Sequence, residues 1–329
     1  ETLPTEFAYI GAVIGFFGCW KLFRESKRVF IFTVLLFIGC VLFASFYDIH
    51  DIETYFLLAY LTVGIWMAFG VRFFFELSEN MQIKKLMIAG IFALIVSTGF
   101  INYGKVDESK MSLVEEYSKV MFSSIEENGI VLSFQWDYFV SAAYYLQHVE
   151  GYRPDVVIID KELLRRTWYY QQLRNQNPWL IDQSKSELDE FMKELIRFEN
   201  DLPYDPRNIE FRYTSLIHSF VEKNWNSRPV YCSPEIEQQY VNVFQKVPTG
   251  LVFRLYPGND KEFHQSTTRD FSFTIPHSLD KYSSGLLSFY AQAYMNNGMY
   301  LQYYQRQNEA AQFFQKGNEI QSIVNKTVK

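Results

Sequence analysis

The stretch between Tyr47 and Thr54 contains side chains that could bind a metal ion or move a proton: Asp48, His50, Asp51 and Glu53. Carboxylates hold hard divalent cations, and such a cation can bridge the phosphate of a lipid-linked substrate. A carboxylate can also act as a general base. We take all four residues as candidates for substrate contact, and Asp48 and Asp51 as candidate ligands of a divalent cation. The alternative is that these acids only mark a loop on the outer side of the membrane, since loops on that side often lack Lys and Arg.

Two further acids, Asp137 and Asp160, each follow a short apolar run that is typical of a strand. In open α/β sheets, ligands bind beyond the carboxyl ends of strands, so both are candidates for substrate contact. The alternative is that each aspartate caps the helix that follows it. The stretch "SFQWDYF" lacks the glycine-rich turn that lets a backbone approach a pyrophosphate. We therefore expect no nucleotide cofactor.

Three arginines lie in the same region. Arg165 and Arg166 follow the second strand-like run, and two guanidinium groups there could grip a phosphate or a sugar carboxylate. Arg153 could pair with Asp155 or with Asp137. The alternative is a solvated basic face.

Aromatic residues are also concentrated here, in the runs Tyr144-Tyr145 and Trp168-Tyr169-Tyr170. Rings of this kind could stack on sugar rings. They also serve as core residues or as anchors at a membrane interface, and the sequence leaves these roles open.

Four apolar runs precede the region of the strands, and we predict membrane-spanning helices at about residues 7–23, 29–47, 54–71 and 86–103. Runs of about 18 residues at 1.5 Å per residue match the ~30 Å hydrocarbon core of a bilayer. The last three runs contain no charged residue, and a charge at mid-membrane costs about 2.5–3.5 kcal/mol or more. The pattern therefore predicts a membrane segment over residues 1–103.

The linkers between these helices predict their orientation. The first and third linkers are basic and contain Lys21, Arg24, Lys27 and Arg28, and then Arg72, Lys84 and Lys85. The second linker reads "YDIHDIET" and has no Lys or Arg. The positive-inside rule places the basic linkers in the cytoplasm. The acidic linker and the chain after Tyr103 then lie on the outer side, and we predict a bacterial inner membrane with a periplasmic domain.

From residue 104 the pattern is that of an α/β domain, which we place at residues 104–275. Strand-like runs alternate with helix-like ones. The strand-like runs are "IVLSF", "DVVIID", "RPVYCS" and "GLVFRLY", and "PEIEQQYVNVFQ" is among the helix-like ones. This alternation predicts a parallel sheet flanked by helices in a Rossmann-like order.

Residues 276–329 predict a C-terminal helical hairpin. Gly298, Ala310, Phe314 and Gly317 have the spacing of a single tetratricopeptide-type repeat, although a generic hairpin explains the pattern equally well. A free-standing solenoid normally needs three repeats. We therefore expect this hairpin to pack on the α/β domain or on a protein partner.

The composition excludes several classes of protein. The 329 residues carry a net charge of −6, so we expect no binding to nucleic acid. The three cysteines, Cys19, Cys40 and Cys232, build neither a disulfide framework nor a zinc site. The motifs G-x-S-x-G and H-E-x-x-H are absent. The chain begins at Glu1 rather than Met, and we expect it to be part of a longer protein.

The segment "GIVLSFQWDYFVSAAYYLQHVEGYRPDVVIIDKELL" resembles part of a bacterial membrane-protein family known by a domain of unknown function. The resemblance is carried by the acid and aromatic pair Trp136-Asp137, by "YLQ" and "VEG", and by "RPDV" at residues 153–156. "HDIETYFLLAY" also looks like the family's stretch between two late membrane helices. The family is related to GT-C membrane glycosyltransferases, including an animal protein O-mannosyltransferase with tetratricopeptide repeats.

The resemblance implies an integral membrane glycosyltransferase that moves a sugar from a polyprenyl-phosphate donor to a secreted protein or glycan acceptor. GT-C enzymes carry their catalytic acid in the first outer loop, and this chain resembles the C-terminal part of the family. No catalytic residue is therefore carried over. Family members often have "NGDND" where this chain has "SFQWDYF", and Asp137 is the one acidic residue that this chain retains there. The rival hypothesis is a non-catalytic, membrane-anchored periplasmic scaffold that binds partners in a larger envelope complex.

Overall fold

The computed structural model describes residues 10–47, 52–107, 109, 111–258, 262–266, 268, 270–275, 279 and 281–327. The chain divides into two compact units, Glu1–Ser109 and Lys110–Lys329. The predicted boundaries after residues 103 and 275 stay predictions.

The first unit is helical where it is described. In chain order it contains α1 (Ile10–Glu25), α2 (Lys27–Ser45), a 3₁₀ turn (Ile52–Phe56), α3 (Leu57–Leu77) and α4 (Met81–Val106). Among the described residues, three stretches are long and apolar enough to cross a membrane, namely Lys27–Ser45, Thr54–Leu77 and Met81–Phe100. The predicted count of four spans is not confirmed, because α1 has 16 residues and a span needs about 20.

Glycines allow α1 and α3 to approach each other closely. A Cβ atom added to Gly18 would overlap the carbonyl oxygen of Trp66, and one added to Gly70 would overlap the carbonyl oxygen of Ile14. Small residues of this kind let helix backbones touch in a bilayer, where apolar burial between helices gives little driving force. The two helices can therefore cross this closely only because Gly18 and Gly70 have no side chain.

The same two helices also share an ionic network. Lys21 on α1 pairs with Glu25 at 2.9 Å and with Glu76 on α3. Arg72 on α3 pairs with Glu76 at 2.9 Å and with Glu25 at 3.4 Å. The network joins the carboxyl-terminal ends of α1 and α3, so the two basic linkers begin at the same end of this helix pair.

We expect Gly70→Ala to destabilise the first unit by about 1–3 kcal/mol, because the added methyl group must push the two helices apart. Gly64→Ala on the same helix is the matched control, since a Cβ there meets open space. Thermal unfolding of the complete chain in detergent micelles measures both variants. Equal midpoints for the two variants would contradict the glycine contact.

The second unit alternates helices and strands. The first half contains α5 (Leu113–Ser123), β1 (Ile130–Ser133), a π-helical turn (Trp136–Val140), α6 (Ser141–His148), β2 (Val157–Asp160), a 3₁₀ turn (Leu163–Arg165), α7 (Thr167–Gln176), α8 (Pro178–Gln183) and α9 (Lys185–Glu199). The second half contains α10 (Pro206–Glu222), β3 (Val230–Cys232), α11 (Gln238–Val241), β4 (Phe244–Thr249), β5 (Val252–Pro257), α12 (Lys281–Tyr303) and α13 (Gln307–Thr327).

The strands form one sheet in the order β2-β1-β3-β5-β4. Strands β2, β1 and β3 are parallel, and Ser133 at the end of β1 pairs with Asp160 at the end of β2. Side chains alternate between the two faces. Ile130 and Leu132 enter a core with α7 to α10, whereas Val131 enters a second core with α5, α6 and α12. Burial on both faces is typical of parallel strands.

The other half of the sheet is antiparallel, which the sequence did not predict. All four predicted strands are present, but β5 runs antiparallel to β3 and β4. "VNVFQ", predicted as the end of a helix, instead leads into β4 at Phe244. Gly250, with a φ of 58°, opens the two-residue turn from β4 to β5, where glycine is favoured. The sheet is therefore mixed, and a Rossmann-like order is not confirmed.

The last two helices, α12 and α13, form the predicted hairpin. A Cβ atom on Gly298 would press on the ring of Phe314, and one on Gly317 would press on Met295, so both glycines lie at the contact between the helices. Leu286 and Tyr290 of α12 join the second core. The hairpin thus packs on the α/β sheet, and its relation to a tetratricopeptide repeat stays a prediction.

Candidate functional site

Polar residues stand at the carboxyl end of each parallel strand: Ser133 ends β1, Asp160 ends β2 and Ser233 directly follows β3. The chain leaves β1 toward one face of the sheet, where Phe139 packs with Val131 in the second core. It leaves β3 toward the other face, where α11 packs in the first core. The ends of β1 and β3 therefore flank a crevice, which is where open α/β sheets commonly bind ligands.

The crevice between β1 and β3 is filled by a hydrogen-bonded cluster, which we call the crevice network: Tyr117, Ser133, Gln135, Ser233 and Glu235. The Glu235 carboxylate accepts hydrogen bonds from Ser133 Oγ at 3.1 Å, from Gln135 Nε2 at 2.8 Å and from Ser233 Oγ. Tyr117 donates to Gln135 Oε1 at 2.9 Å. Burial raises the pKa of the Glu235 carboxyl group above its usual range, against these hydrogen bonds.

Sequence reasoning missed Glu235, although a signal was present. Glu235 follows the third parallel strand in "CSPE", as Gln135 follows the first in "SFQ". The rule that singled out Asp137 and Asp160 applies equally to it. The prediction of one continuous helix after β3 hid it, because Glu235 was then an ordinary residue of a helix surface.

We expect Glu235→Gln to change how stability depends on pH. A folded pKa above the usual 4.5 means that folding favours the protonated acid. The stabilising contribution is complete at low pH and is lost as the pH rises through the folded pKa. The neutral variant removes this loss, so the thermal midpoint of the unchanged chain should fall relative to that of the variant as the pH rises above about 4.5.

The matched control is Glu150→Gln, which changes an exposed acid. Tryptophan fluorescence during heating gives the midpoints of all three proteins. A constant difference between the Glu235→Gln chain and the unchanged chain across this pH range would contradict the assignment.

Asp160 caps a turn, as one of the two alternatives predicted. Its Oδ1 accepts the Leu163 N–H at 2.9 Å, and its own N–H donates to the Tyr169 hydroxyl at 3.0 Å. Burial raises the pKa of this carboxyl group above its usual range. The next residue, Lys161, is only 2% exposed and ion-pairs with Glu237 at 2.7 Å. The Asp160 carboxyl group and the Lys161 ammonium group therefore both have partners within the protein.

Asp137 lies apart from the crevice network. It is exposed in the π-helical turn, and that turn has its cap at Gln135. The capping role predicted for Asp137 is therefore wrong. Its carbonyl oxygen accepts a hydrogen bond from Tyr282, which ties the turn to α12.

Arg153 has a structural position. Its guanidinium group donates to both carboxylate oxygens of Asp155 at 2.9 Å. It also donates to the carbonyl oxygens of Phe122 at 2.7 Å, Ile125 at 3.0 Å and Glu126 at 3.1 Å. These bonds engage all five N–H groups of the guanidinium. Arg153 thereby satisfies carbonyls at and just beyond the end of α5, which a helix leaves unpaired.

We expect Asp155→Asn to lower the free energy of unfolding by about 1–2 kcal/mol at neutral pH, since the Arg153 pairing holds the pKa of Asp155 at about 2 rather than 3.8. A lowered pKa gives stability that is complete above about pH 4 and lost as the pH falls toward 2. The difference from the unchanged chain should therefore shrink in acid. Urea unfolding of both chains at several pH values measures it.

Asp189→Asn is the control, because Asp189 forms an exposed pair with Lys185 at 3.4 Å. We expect that variant to cost much less. An Asp155→Asn effect that does not vary with pH would refute the ionic contribution.

Arg165 and Arg166, predicted together as an anion grip, diverge in the structure. Arg165 Nη2 donates to the Tyr240 hydroxyl at 2.8 Å, and its guanidinium lies 4.2 Å from the centre of the Tyr213 ring. It also pairs with Glu210 at 3.4 Å. Arg166 is exposed and precedes α7. Arg165 is therefore engaged with groups of the protein, whereas Arg166 is exposed.

The acidic linker around Asp48 lies largely beyond the described residues. Asp48, His50 and Asp51 are outside them, and for Glu53 the backbone alone is described, in the 3₁₀ turn. Within the described parts of the chain, no group of three or more His, Cys, Asp or Glu side chains could hold a metal ion. The divalent cation and its ligands Asp48 and Asp51 stay predictions.

Apolar helices and a mixed α/β unit together define a membrane-associated protein. The model of the family TMEM260-associated domain 2 matches residues 114–190, which run from α5 into α9. The chain is also 22% identical over 167 residues to Protein O-mannosyl-transferase TMEM260 of Mus musculus, a match that covers 47% of this chain and 24% of the relative. No solved structure matches the chain. The resemblance inferred from residues 129–164 is confirmed.

Proposed function

We propose that this chain is part of a GT-C-like integral membrane glycosyltransferase. It moves a sugar from a polyprenyl-phosphate donor to a secreted protein or glycan acceptor. The observation that carries the proposal is the similarity to a protein O-mannosyl-transferase over 47% of the chain. The apolar helices of the first unit support it, because a polyprenyl donor is confined to the membrane.

The proposal assigns separate tasks to the two units. The first unit meets the donor, with Asp48, Asp51 and Glu53 contacting its phosphate directly or through a divalent cation. A carboxylate deprotonates the acceptor hydroxyl, and the sugar is transferred with inversion. The second unit handles the acceptor, and the side chains of its crevice network are hydrogen-bonded to one another.

In this proposal the acidic linker faces the periplasm of a bacterium, as does the second unit. The ionic network of Lys21, Glu25, Arg72 and Glu76 supports the orientation, because it brings the starts of both basic linkers to one end of the α1 and α3 pair. Basic linkers at one end are typical of the cytoplasmic side. Membrane lipids then surround α2, α3 and α4.

We expect alanine at Asp48, Asp51 and Glu53 together to lower sugar transfer at least about tenfold, as the loss of a charged contact worth about 1.4 kcal/mol or more would do. The complete protein is tested in membrane vesicles, with a radiolabelled polyprenyl-phosphate mannose as donor and secreted protein as acceptor. A chelator should lower transfer as well, and added Mg²⁺ or Mn²⁺ should restore it.

Glu79→Ala is the control, because it removes an acid from a linker that the proposal places in the cytoplasm. Transfer that survives the triple replacement would rule out the linker as the donor site. If no donor or acceptor supports transfer, the result favours the rival hypothesis of a non-catalytic scaffold. In that case α12 and α13 would be the surface that binds protein partners.

A further inference from the structure

Four aromatic rings form a continuous row at the carboxyl ends of β1 and β2, which we call the ring row: Trp136, Tyr144, Tyr169 and Trp168. The centre of the Trp136 ring lies 6.4 Å from that of Tyr144, and the Trp168 ring lies 5.8 Å from Tyr169. The hydroxyl oxygens of the two tyrosines are 3.5 Å apart. The row therefore joins an element on one face of the sheet to an element on the other.

The outer members of the ring row face solvent. Trp136 is 48% exposed and Trp168 is 55% exposed, whereas Tyr169 between them is fully buried. An exposed tryptophan forgoes much of the roughly 2–3 kcal/mol that full burial of a large apolar side chain provides. The two side chains follow the carboxyl ends of two neighbouring parallel strands, β1 and β2.

Backbone geometry holds Trp136 outward. The Gln135 carbonyl accepts hydrogen bonds from the N–H groups of both Phe139 and Val140 at 2.9 Å, which widens the first turn after β1. Such π-helical turns are rare and frequently lie at functional sites. The wide turn buries Phe139 and Val140 and leaves Trp136 and Asp137 at the surface.

The inner members of the ring row are held firmly. The Tyr169 hydroxyl accepts the N–H of Asp160, which caps the free edge of β2. The Tyr144 ring stacks on His148 with 5.9 Å between ring centres. Tyr144 is half-buried, and its hydroxyl has one long contact, to Tyr169. A rigid ring with hydrogen-bonding capacity to spare therefore lies between the two exposed tryptophans.

Exposed polar residues adjoin the ring row in the sequence. Asp137 and Arg166 are exposed and directly follow or precede its elements, and Glu162 is exposed in the turn after β2. Acids at this rim repel the anionic headgroups that attract interfacial segments to membranes. The mixture of flat apolar faces with donors and acceptors matches a ligand whose own faces are apolar and whose edge carries hydroxyl groups.

We propose that the ring row binds a pyranose unit of a glycan. The C–H face of the sugar lies on Trp136 or Trp168, and its hydroxyl groups hydrogen-bond with Tyr144, Asp137 and Arg166. The inference rests on the proposed function, which it deepens by assigning carbohydrate recognition to the second unit. No bond is formed or broken at this site.

Binding is tested with the complete chain in nanodiscs of phosphatidylethanolamine and phosphatidylglycerol. The probes are methyl α-mannopyranoside and mannotriose, added without any donor, and the readout is tryptophan fluorescence. We expect saturable binding that weakens about tenfold or more in Trp136→Ala and in Trp168→Ala, and a few-fold in Tyr144→Phe. Trp225→Ala is the matched control, since Trp225 is 42% exposed outside the ring row.

Absence of saturable binding to either probe would overturn the proposal, and so would equal weakening in Trp225→Ala. Brominated lipids provide a second reading. If they quench the fluorescence contributed by Trp136 and Trp168, these rings are membrane anchors and the proposal is wrong. Sugar binding without any transfer would count against the proposed function alone, whereas transfer with unchanged binding in the variants would count against the ring row alone.

Discussion

The second unit depends on the burial of β1 on both of its faces. All four residues of β1 are buried, and its alternating side chains supply both cores of the unit. A strand in this position cannot be covered from one side, so helices must pack on each face of the sheet. The chain satisfies this requirement with α7 to α10 on one face and with α5, α6 and α12 on the other.

Double burial of β1 also determines what its carboxyl end must contain. The chain has to leave the sheet between two apolar layers, and a polar group buried there costs free energy unless it is hydrogen-bonded. Glu235 accepts hydrogen bonds from the hydroxyl groups of Ser133 and Ser233 and from the amide of Gln135, so these polar groups in the crevice are paired with one another. The place where many α/β folds bind ligands is thereby occupied by the protein's own side chains.

Much of the architecture could be read from local patterns. The strands at "IVLSF", "DVVIID", "RPVYCS" and "GLVFRLY" and the final helical hairpin have clear apolar periodicity, and each is present. The β4 strand could not be read in this way, because "VNVFQ" suits a helix as well as a strand. The segment from Phe244 becomes a strand because it pairs with β5 across the Gly250 turn. The sequence of one segment alone does not reveal such a pairing.

The candidate site was less predictable for the same reason. Local sequence identified Arg153 as a residue with a partner nearby, but three of its acceptors are carbonyls near the end of α5, about thirty residues earlier in the chain. The left-handed backbone of Arg153, with a φ of 49°, is tolerated because these bonds hold it. A charged residue that looks available in sequence can therefore be fully engaged once the chain folds.

The contrast between Arg153 and Trp136 separates structure from function in this unit. Every N–H group of the Arg153 guanidinium meets an acceptor within the protein, so the fold alone accounts for its position. Trp136 contacts Tyr144 within the protein, but about half of its surface meets solvent and a rare turn keeps it there. The proposed glycan site would give that exposed ring a contact outside the protein. Recognition by the second unit is therefore expected at the sheet edge, beside the closed crevice.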